Sequence, residues 1–191
     1  MNLFVFSKRP RRNAQLYCDQ HVRKILLELT QMLYTAYHAL LPVSDVRAWL
    51  RANDAPGGGY RPTHVDHPVT RWVRATPQNY RYAATTALAL CDEFEHRFGK
   101  PHACRRHVVW LVVHTPFDDA DTACDGGGAC DARRYRRLTP FAQAMPDAYK
   151  DPSSAKRAYR RYARAEKRVF ANGRSMPTWT RRPVPRFMLT K

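Results

Sequence analysis

The chain has 191 residues and carries 33 lysines and arginines against 16 acidic residues, a net charge of +17. Hydrophobic residues make up 44% and aromatics 12%, enough to bury a core, which excludes a wholly disordered protein. No apolar run approaches the roughly 18 residues of a membrane span, and the charge balance points to a polyanionic partner such as DNA rather than to a membrane or a protein.

In chain order, residues 2–6 (Asn-Leu-Phe-Val-Phe) read as a short edge strand or a tucked-in N-terminal segment. A basic cluster follows: Lys8, Arg9, Arg11 and Arg12. Apolar first and basic second reverses the order of a signal peptide, so the expected location is cytoplasmic. Five cysteines, an odd number, fit reduced thiols. The first strong helix spans 19–41, apolar at Val22, Ile25, Leu26, Leu29, Met32, Leu33, Ala36 and Leu40, with Asp19 as N-cap and Pro42 as stop. Residues 53–63 are a loop by composition. A short helix is expected over 67–75 with Pro68 in its first turn. Thr76-Pro77 then caps a longer helix over 77–98 that Gly99 ends.

Residues 107–114 (His-Val-Val-Trp-Leu-Val-Val-His) fit a strand or a buried helical turn, and periodicity leaves both open. Residues 118–131 hold three consecutive glycines and read as a mobile loop, with Cys124 and Cys130 as thiols at its edges. Thr139-Pro140 opens another short helix, and Asp151-Pro152 a basic one that runs to about Asn172-Gly173. From Met176 onward Pro177, Pro183 and Pro185 predict an extended basic tail over 176–191. The expected fold is mainly α, a single domain over 1–191 without internal repeats.

The charge is uneven. Residues 155–191 hold twelve basic side chains and one acid, Glu166, a net +11. Tyr159, Tyr162 and Trp179 interleave with these cations. Arginine among aromatics suits phosphate contact with stacking, which nominates Arg157, Arg160, Arg161, Arg164 and Trp179 as DNA contacts.

Three constellations are candidates for chemistry. On the first helix His21, Lys24, Glu28, Gln31, Thr35 and His38 form a polar stripe beside the apolar one. His21 and Glu28 stack two turns apart, which offers an acid/base pair with Lys24 alongside; an ordinary polar flank is the plainer alternative. Arg61-Pro62-Thr63-His64-Val65-Asp66-His67-Pro68 puts two imidazoles before a helix start, where they suit anion recognition or a satisfied turn carbonyl. No metal is expected there or at His102, Cys104 and His107, because neither spacing completes a ligand set, and no cofactor motif is present. Near that turn Asn79 offers an amide fork for a base edge, and Trp72 or Tyr80 a stacking ring; aromatics at helical spacing are more often core, the plainer reading for Trp72, and Tyr80 also falls on the apolar stripe of its helix. Gln143, among small and apolar neighbours, either lines a pocket or satisfies backbone.

Asp19-Gln20-His21 followed by Glu28 resembles the start of the phage pyrimidine-dimer DNA glycosylases of the endonuclease V type. His67-Pro68-Val69, Trp72, Asn79-Tyr80, Glu93 and Arg97-Phe98-Gly99-Lys100 have a layout similar to their middle helices, and Pro177-Thr178-Trp179 resembles their aromatic tail. The chain also resembles a phage protein family sharing the Asp-Gln-His helix, the Thr-His-x-x-His-Pro turn, Arg-Phe-Gly-Lys-x-His and Pro-Phe-Ala-Gln-Ala-Met-Pro. That second likeness spans most of the chain except 44–58 and 118–135 but implies little chemistry.

The first resemblance implies an all-helical fold, a kinked duplex and an extruded base, attacked by an N-terminal α-amine with a glutamate assisting. Glu28 matches that glutamate by its distance from His21. The amine is a departure, because Asn2 is a large second residue that leaves Met1 in place. Phage transferases that decorate 5-hydroxymethyl-pyrimidines within DNA give a second reading, with Lys24, His21 and His64 stabilising a departing phosphate. A non-catalytic DNA-binding protein with a structural polar stripe is the third. A pocket of about 300 Å³ or more opening between His21, Glu28, His64 and Asn79 separates the enzymes from the binding module.

Overall fold

The computed structural model describes residues 2–117, 137–169 and 175–189. The expected mobile loop over 118–131, with Cys124 and Cys130, lies outside them. The described residues are mainly helical, with eight α-helices and no strand among them. These are α1 (Pro10–Leu16), α2 (Asp19–Leu40), α3 (Val46–Ala52), α4 (Pro68–Ala75), α5 (Pro77–Phe98), α6 (Arg105–Val113), α7 (Ala155–Glu166) and α8 (Arg186–Leu189). No helix among the described residues is long and apolar enough to cross a membrane.

α2 and α5 are the two long helices, and they pack on each other; α4 packs on both, and α1 and α6 lean on α5. Thr76 caps α5, its hydroxyl accepting from Asn79 N–H at 3.1 Å, with Pro77 at the first position. Gly99 ends it in the left-handed conformation at φ 69°, which costs glycine nothing, and its N–H returns to Glu95 O at 2.8 Å.

Of the two readings of the first segment, strand or tucked-in chain, the tucked-in one holds. Leu3, Phe4, Val5 and Phe6 are buried, and side chains of α1 and Tyr17 serve their backbone. Asn13, fully buried, accepts from Phe6 and Ser7 N–H at 2.8 and 3.0 Å and donates to Phe4 O at 2.7 Å. Tyr17 hydroxyl donates to the same carbonyl at 2.6 Å. Side chains thus replace the ladder that a strand partner would supply.

Of the two readings left open for 107–114 the helical one holds, as part of 105–113: His107, Val108, Trp110 and Leu111 are buried and Val109, Val112 and Val113 exposed, a helical alternation. Three expectations need correction. Thr139-Pro140 opens no helix. That segment stays extended because side chains claim its backbone: Asn79 Oδ1 accepts from Thr139 N–H at 3.2 Å, and Tyr159 hydroxyl donates to Ala142 O at 2.7 Å. The basic helix starts at Ala155, capped by Ser154, and ends at Glu166 rather than near Asn172. The extended tail turns into α8 after the buried Pro185.

Asp19 is not the N-cap of α2 but its first residue; Cys18 is the cap. Its carboxylate does something the spacing does not reveal. It accepts from Thr178 hydroxyl at 2.7 Å, Thr180 hydroxyl at 2.8 Å and Arg97 Nη1 at 2.9 Å, while Asp19 N–H donates to Thr178 O at 2.8 Å. Arg97, buried, also donates to Glu93 at 2.7 Å and to Tyr17 O at 2.9 Å, and Arg182 of the tail grips both oxygens of Glu93 at 2.9 Å. The tail is therefore pinned to the N-terminus of α2 and the C-terminal half of α5 by buried charge.

Candidate functional site

Glu28 faces the start of the chain. Its Oε2 accepts from Asn2 N–H at 2.9 Å, and its Oε1 lies 3.8 Å from Lys24 Nζ. The Glu28 side chain is 12% exposed and that of Lys24 76%, so the carboxylate sits at a protein edge with a solvated cation beside it. Asn2 is fixed in turn. Its amide donates to Ala144 O at 2.8 Å, and its Oδ1 accepts from Tyr159 hydroxyl at 3.0 Å and from Leu3 N–H at 2.8 Å. Three segments far apart in the sequence thus meet at Glu28.

The histidine turn closes the other side. Thr35 Oγ1, on α2, accepts from Thr63 N–H at 3.1 Å and ties the turn to the helix. Thr63 Oγ1 and His64 Nδ1 are 2.7 Å apart, and His64 is exposed in the left-handed region at φ 48°, a conformation that its surroundings must hold. His67 caps α4, its Nδ1 accepting from Val69 N–H at 3.2 Å, so Nε2 carries the proton of the neutral ring. Burial, then the amino terminus and His64, lower the His67 pKa, and Glu28 opposes the shift. His67, Glu28, His64 and the chain start therefore share one electrostatic neighbourhood.

His21 packs against the aromatic core. It is buried, its ring 4.6 Å from that of Phe4 and 6.3 Å from that of Tyr17. Burial, then Lys167 and Lys24, lower its pKa from 6.5 to about 3. In the unfolded chain the ring takes a proton below about pH 6.5, whereas in the fold it stays neutral until about pH 3. The unfolded state binds the extra proton in that window, so stability falls as pH falls through it. His21→Leu is expected to shrink the loss of stability between pH 7 and pH 5, read by urea unfolding at both. An unchanged loss would put the proton uptake on other groups.

Asn79 and Tyr80 are core residues rather than base readers. Asn79 is fully buried, donating to Trp72 O at 2.8 Å and Thr139 Oγ1 at 2.7 Å. Tyr80 is buried with its hydroxyl on Leu111 O at 3.3 Å. Gln143 resolves toward backbone: its amide exchanges two bonds with Asp151, at 2.7 and 2.8 Å. Asn79 and His21 are both buried, and the cavity of about 10 Å³ at His21 lies between Phe6, Leu16 and Trp179, so it does not open toward Glu28, His64 or Asn79.

The basic helix is also more structural than its charge implies. Arg157 pairs with Asp151 at 2.9 Å and donates to Ser153. Arg160 donates to Phe6 O at 2.9 Å and lies over the ring of Phe187 at 5.1 Å. Arg161 donates to Tyr149 O and Lys150 O at 2.7 and 2.9 Å. Trp179 is half-buried, its indole N–H on Leu16 O at 3.2 Å. Arg164 is half-buried on the same helix.

What sequence reading missed is that the two basic clusters meet. Burial, then the neighbouring charge of Arg12, lower the Arg160 pKa, which brings one cation of each cluster within electrostatic reach of the other. Lys167, at the end of α7, and Lys24 both act on His21 and carry positive potential from this face toward Glu28. No group of three or more histidine, cysteine or acidic side chains among the described residues is placed to hold a metal ion. His102 Nδ1 is taken by Cys104 N–H at 3.1 Å, and His107 Nδ1 by Tyr34 hydroxyl at 3.1 Å. Comparison with family models, with curated proteins and with solved structures returned no match.

Proposed function

We propose that the chain is a DNA-binding enzyme acting on a pyrimidine base displaced from the stack, with Glu28 as its acid/base group; the cavity at His21, far below the expected pocket size, favours a non-catalytic DNA-binding protein as the second reading. The observation that carries the first reading is the hydrogen bond from Asn2 N–H to Glu28, 26 residues apart in sequence. The glycosylase resemblance asks for a chain-terminal nitrogen beside this glutamate, and a backbone nitrogen one residue from the start stands there. The positive face running from α1 through Lys167 and Lys24 suits a duplex backbone leading to that point.

The chemistry follows from the pair. In a chain trimmed of Met1, Asn2 nitrogen is an α-amine. As it attacks the sugar C1′, a C–N bond forms while the bond to the base breaks. The base leaves with the electron pair, and Glu28 takes the proton that the amine gives up. With Met1 in place, Glu28 activates water at the same carbon and no covalent adduct forms. His64, exposed, and the Nε2–H of His67 suit donation to a flanking phosphate. Reductive trapping with borohydride on ultraviolet-irradiated duplex DNA tests the reading. A trapped adduct at a cleaved glycosidic bond, its base still joined to the dimer partner on the neighbouring nucleotide, identifies the amine route, and glycosidic cleavage without an adduct the water route. Intact bases in irradiated and in phage-modified DNA would refute both.

The charge part has its own test. Arg160 and Arg161 hold the protein's own carbonyls, so their removal confounds folding with binding. Arg9, Arg11 and Arg12 are exposed on α1 and at its start. Changing all three to glutamine is expected to leave the melting temperature within about 2 °C and to lower the salt dependence of DNA affinity by roughly one unit of log–log slope per lost phosphate contact. An unaltered slope would move the interface off this face.

A further inference from the structure

A second aromatic and cationic cluster lies apart from Glu28, where the end of α5 meets the start of α2. Phe94 and Phe98 pack with ring centroids 4.7 Å apart, and the His102 ring stands edge-on to Phe94 at 4.7 Å. The left-handed turn at Gly99 folds the chain back so that Lys100 and His102 border the same rings. Arg23 lays its guanidinium over Phe98 at 4.3 Å. Together Arg23, Phe94, Phe98, Lys100 and His102 line a wide-open surface groove.

The charges in the groove are all of one sign. Arg23 and Lys100 are exposed and make no ion pair among the described residues. The acids near the end of α5 are answered elsewhere: Asp92 and Glu95 both pair with Arg105, at 3.0 and 3.4 Å, and Glu93 turns inward to Arg97 and Arg182. With His102 Nδ1 accepting from Cys104 N–H, its Nε2 is left as the ring's donor. A planar guanidinium held flat over the half-buried Phe98, itself packed on the buried Phe94, and an exposed lysine beside it describe the needs of one ligand class. That class carries a flat aromatic ring and a phosphate on the same unit.

We infer that the Arg23–Phe98–Lys100 groove is a nucleotide-binding site, the base stacking on the Arg23–Phe98 pair and the phosphate meeting Lys100. The unit is either a free nucleotide or one residue of a single strand, and the two sources share this chemistry. The site goes beyond the Glu28 reading, and its occupation needs no turnover, so failure of either leaves the other standing.

Titration calorimetry with adenosine 5′-monophosphate, with inorganic phosphate and with a short single-stranded oligothymidylate tests it on the full chain. At least one of the nucleotide probes is expected to bind more tightly than inorganic phosphate. Phe98→Leu, which keeps an apolar side chain but removes the stacking face, is expected to weaken that binding about tenfold. Lys100→Glu, at an exposed position that leaves folding intact, is expected to weaken it at least as much. Monophosphate binding that both variants weaken identifies a free nucleotide, and an effect confined to the oligonucleotide identifies a strand. Nucleotide binding that neither variant alters, or no binding tighter than phosphate, would overturn the proposal.

Discussion

Arg97→Met is expected to destabilise the protein by about 3–5 kcal/mol, the usual cost of stranding the partners of a buried ion pair. For a chain of this length that is a fall in melting temperature of roughly 6–20 °C. The guanidinium is buried and meets Glu93, Asp19 and the carbonyls of Tyr17 and Gln15. A thioether fills similar volume and supplies no donor. Arg97→Lys is expected to rescue little, because one ammonium cannot reach four acceptors spread around a planar fork. A loss below about 1 kcal/mol, the range of exposed pairs, would show that the network contributes no more than a surface ion pair.

The same network sets an acid limit. Burial alone raises the Asp19 pKa, but bonds from Thr178, Arg97 and Thr180 outweigh it and hold the carboxyl below 3.8. Burial likewise raises Glu93, and Arg182 and Arg97 pull it below 4.5. Folded values below the unfolded ones mean a contribution that is full above the ordinary carboxylate range and lost as pH falls through the lowered values. Release of the tail is therefore expected below about pH 4, visible as a change in Trp179 fluorescence.

Glu28→Gln is expected to keep the fold and DNA binding and to lower turnover by roughly 10²-fold or more. The amide oxygen still accepts from Asn2 N–H, so shape and anchoring survive, while the charge and the basic oxygen are gone. Loss of the partner of Lys24 costs little, since that ammonium is 76% exposed. A sharp fall in melting temperature with unchanged turnover would make Glu28 a strut between α2 and the chain start.

Helices with one apolar stripe were legible from periodicity: α2 and α5 end within a residue of their expected limits, helped by Thr76-Pro77 and Gly99. α6 was not, because an apolar run hides a helical period under uniform hydrophobicity. α1 and α3 were missed, being seven residues each, and one of them reads as a basic patch. In the site, Glu28 and the histidine turn were visible as polar groups beside an apolar stripe. The partners of Asn79 were not, since Thr139 lies 60 residues away, whereas backbone satisfaction by Gln143 and a place for Tyr80 on the apolar stripe were among the stated alternatives and hold. Asp19 shows the limit most clearly: a residue that looks like a helix cap spends its oxygens on a tail 159 to 161 residues downstream. Charge counting found the basic C-terminal region but not which cations are tied to the protein's own carbonyls.

The most direct test of Glu28 as a reaction centre is mass spectrometry of DNA after incubation with the wild-type protein and with Glu28→Gln. The substrates are normal, ultraviolet-irradiated and phage-modified duplexes, and the readout is released bases, bases detached from their own sugar but still joined to a neighbouring nucleotide through a dimer, and remaining nucleosides. The expected result is loss of a pyrimidine base from one of the altered duplexes by the wild type, reduced at least about 10²-fold by the substitution. A nucleoside gaining mass in place of base loss, or identical products from both proteins, would contradict excision at Glu28.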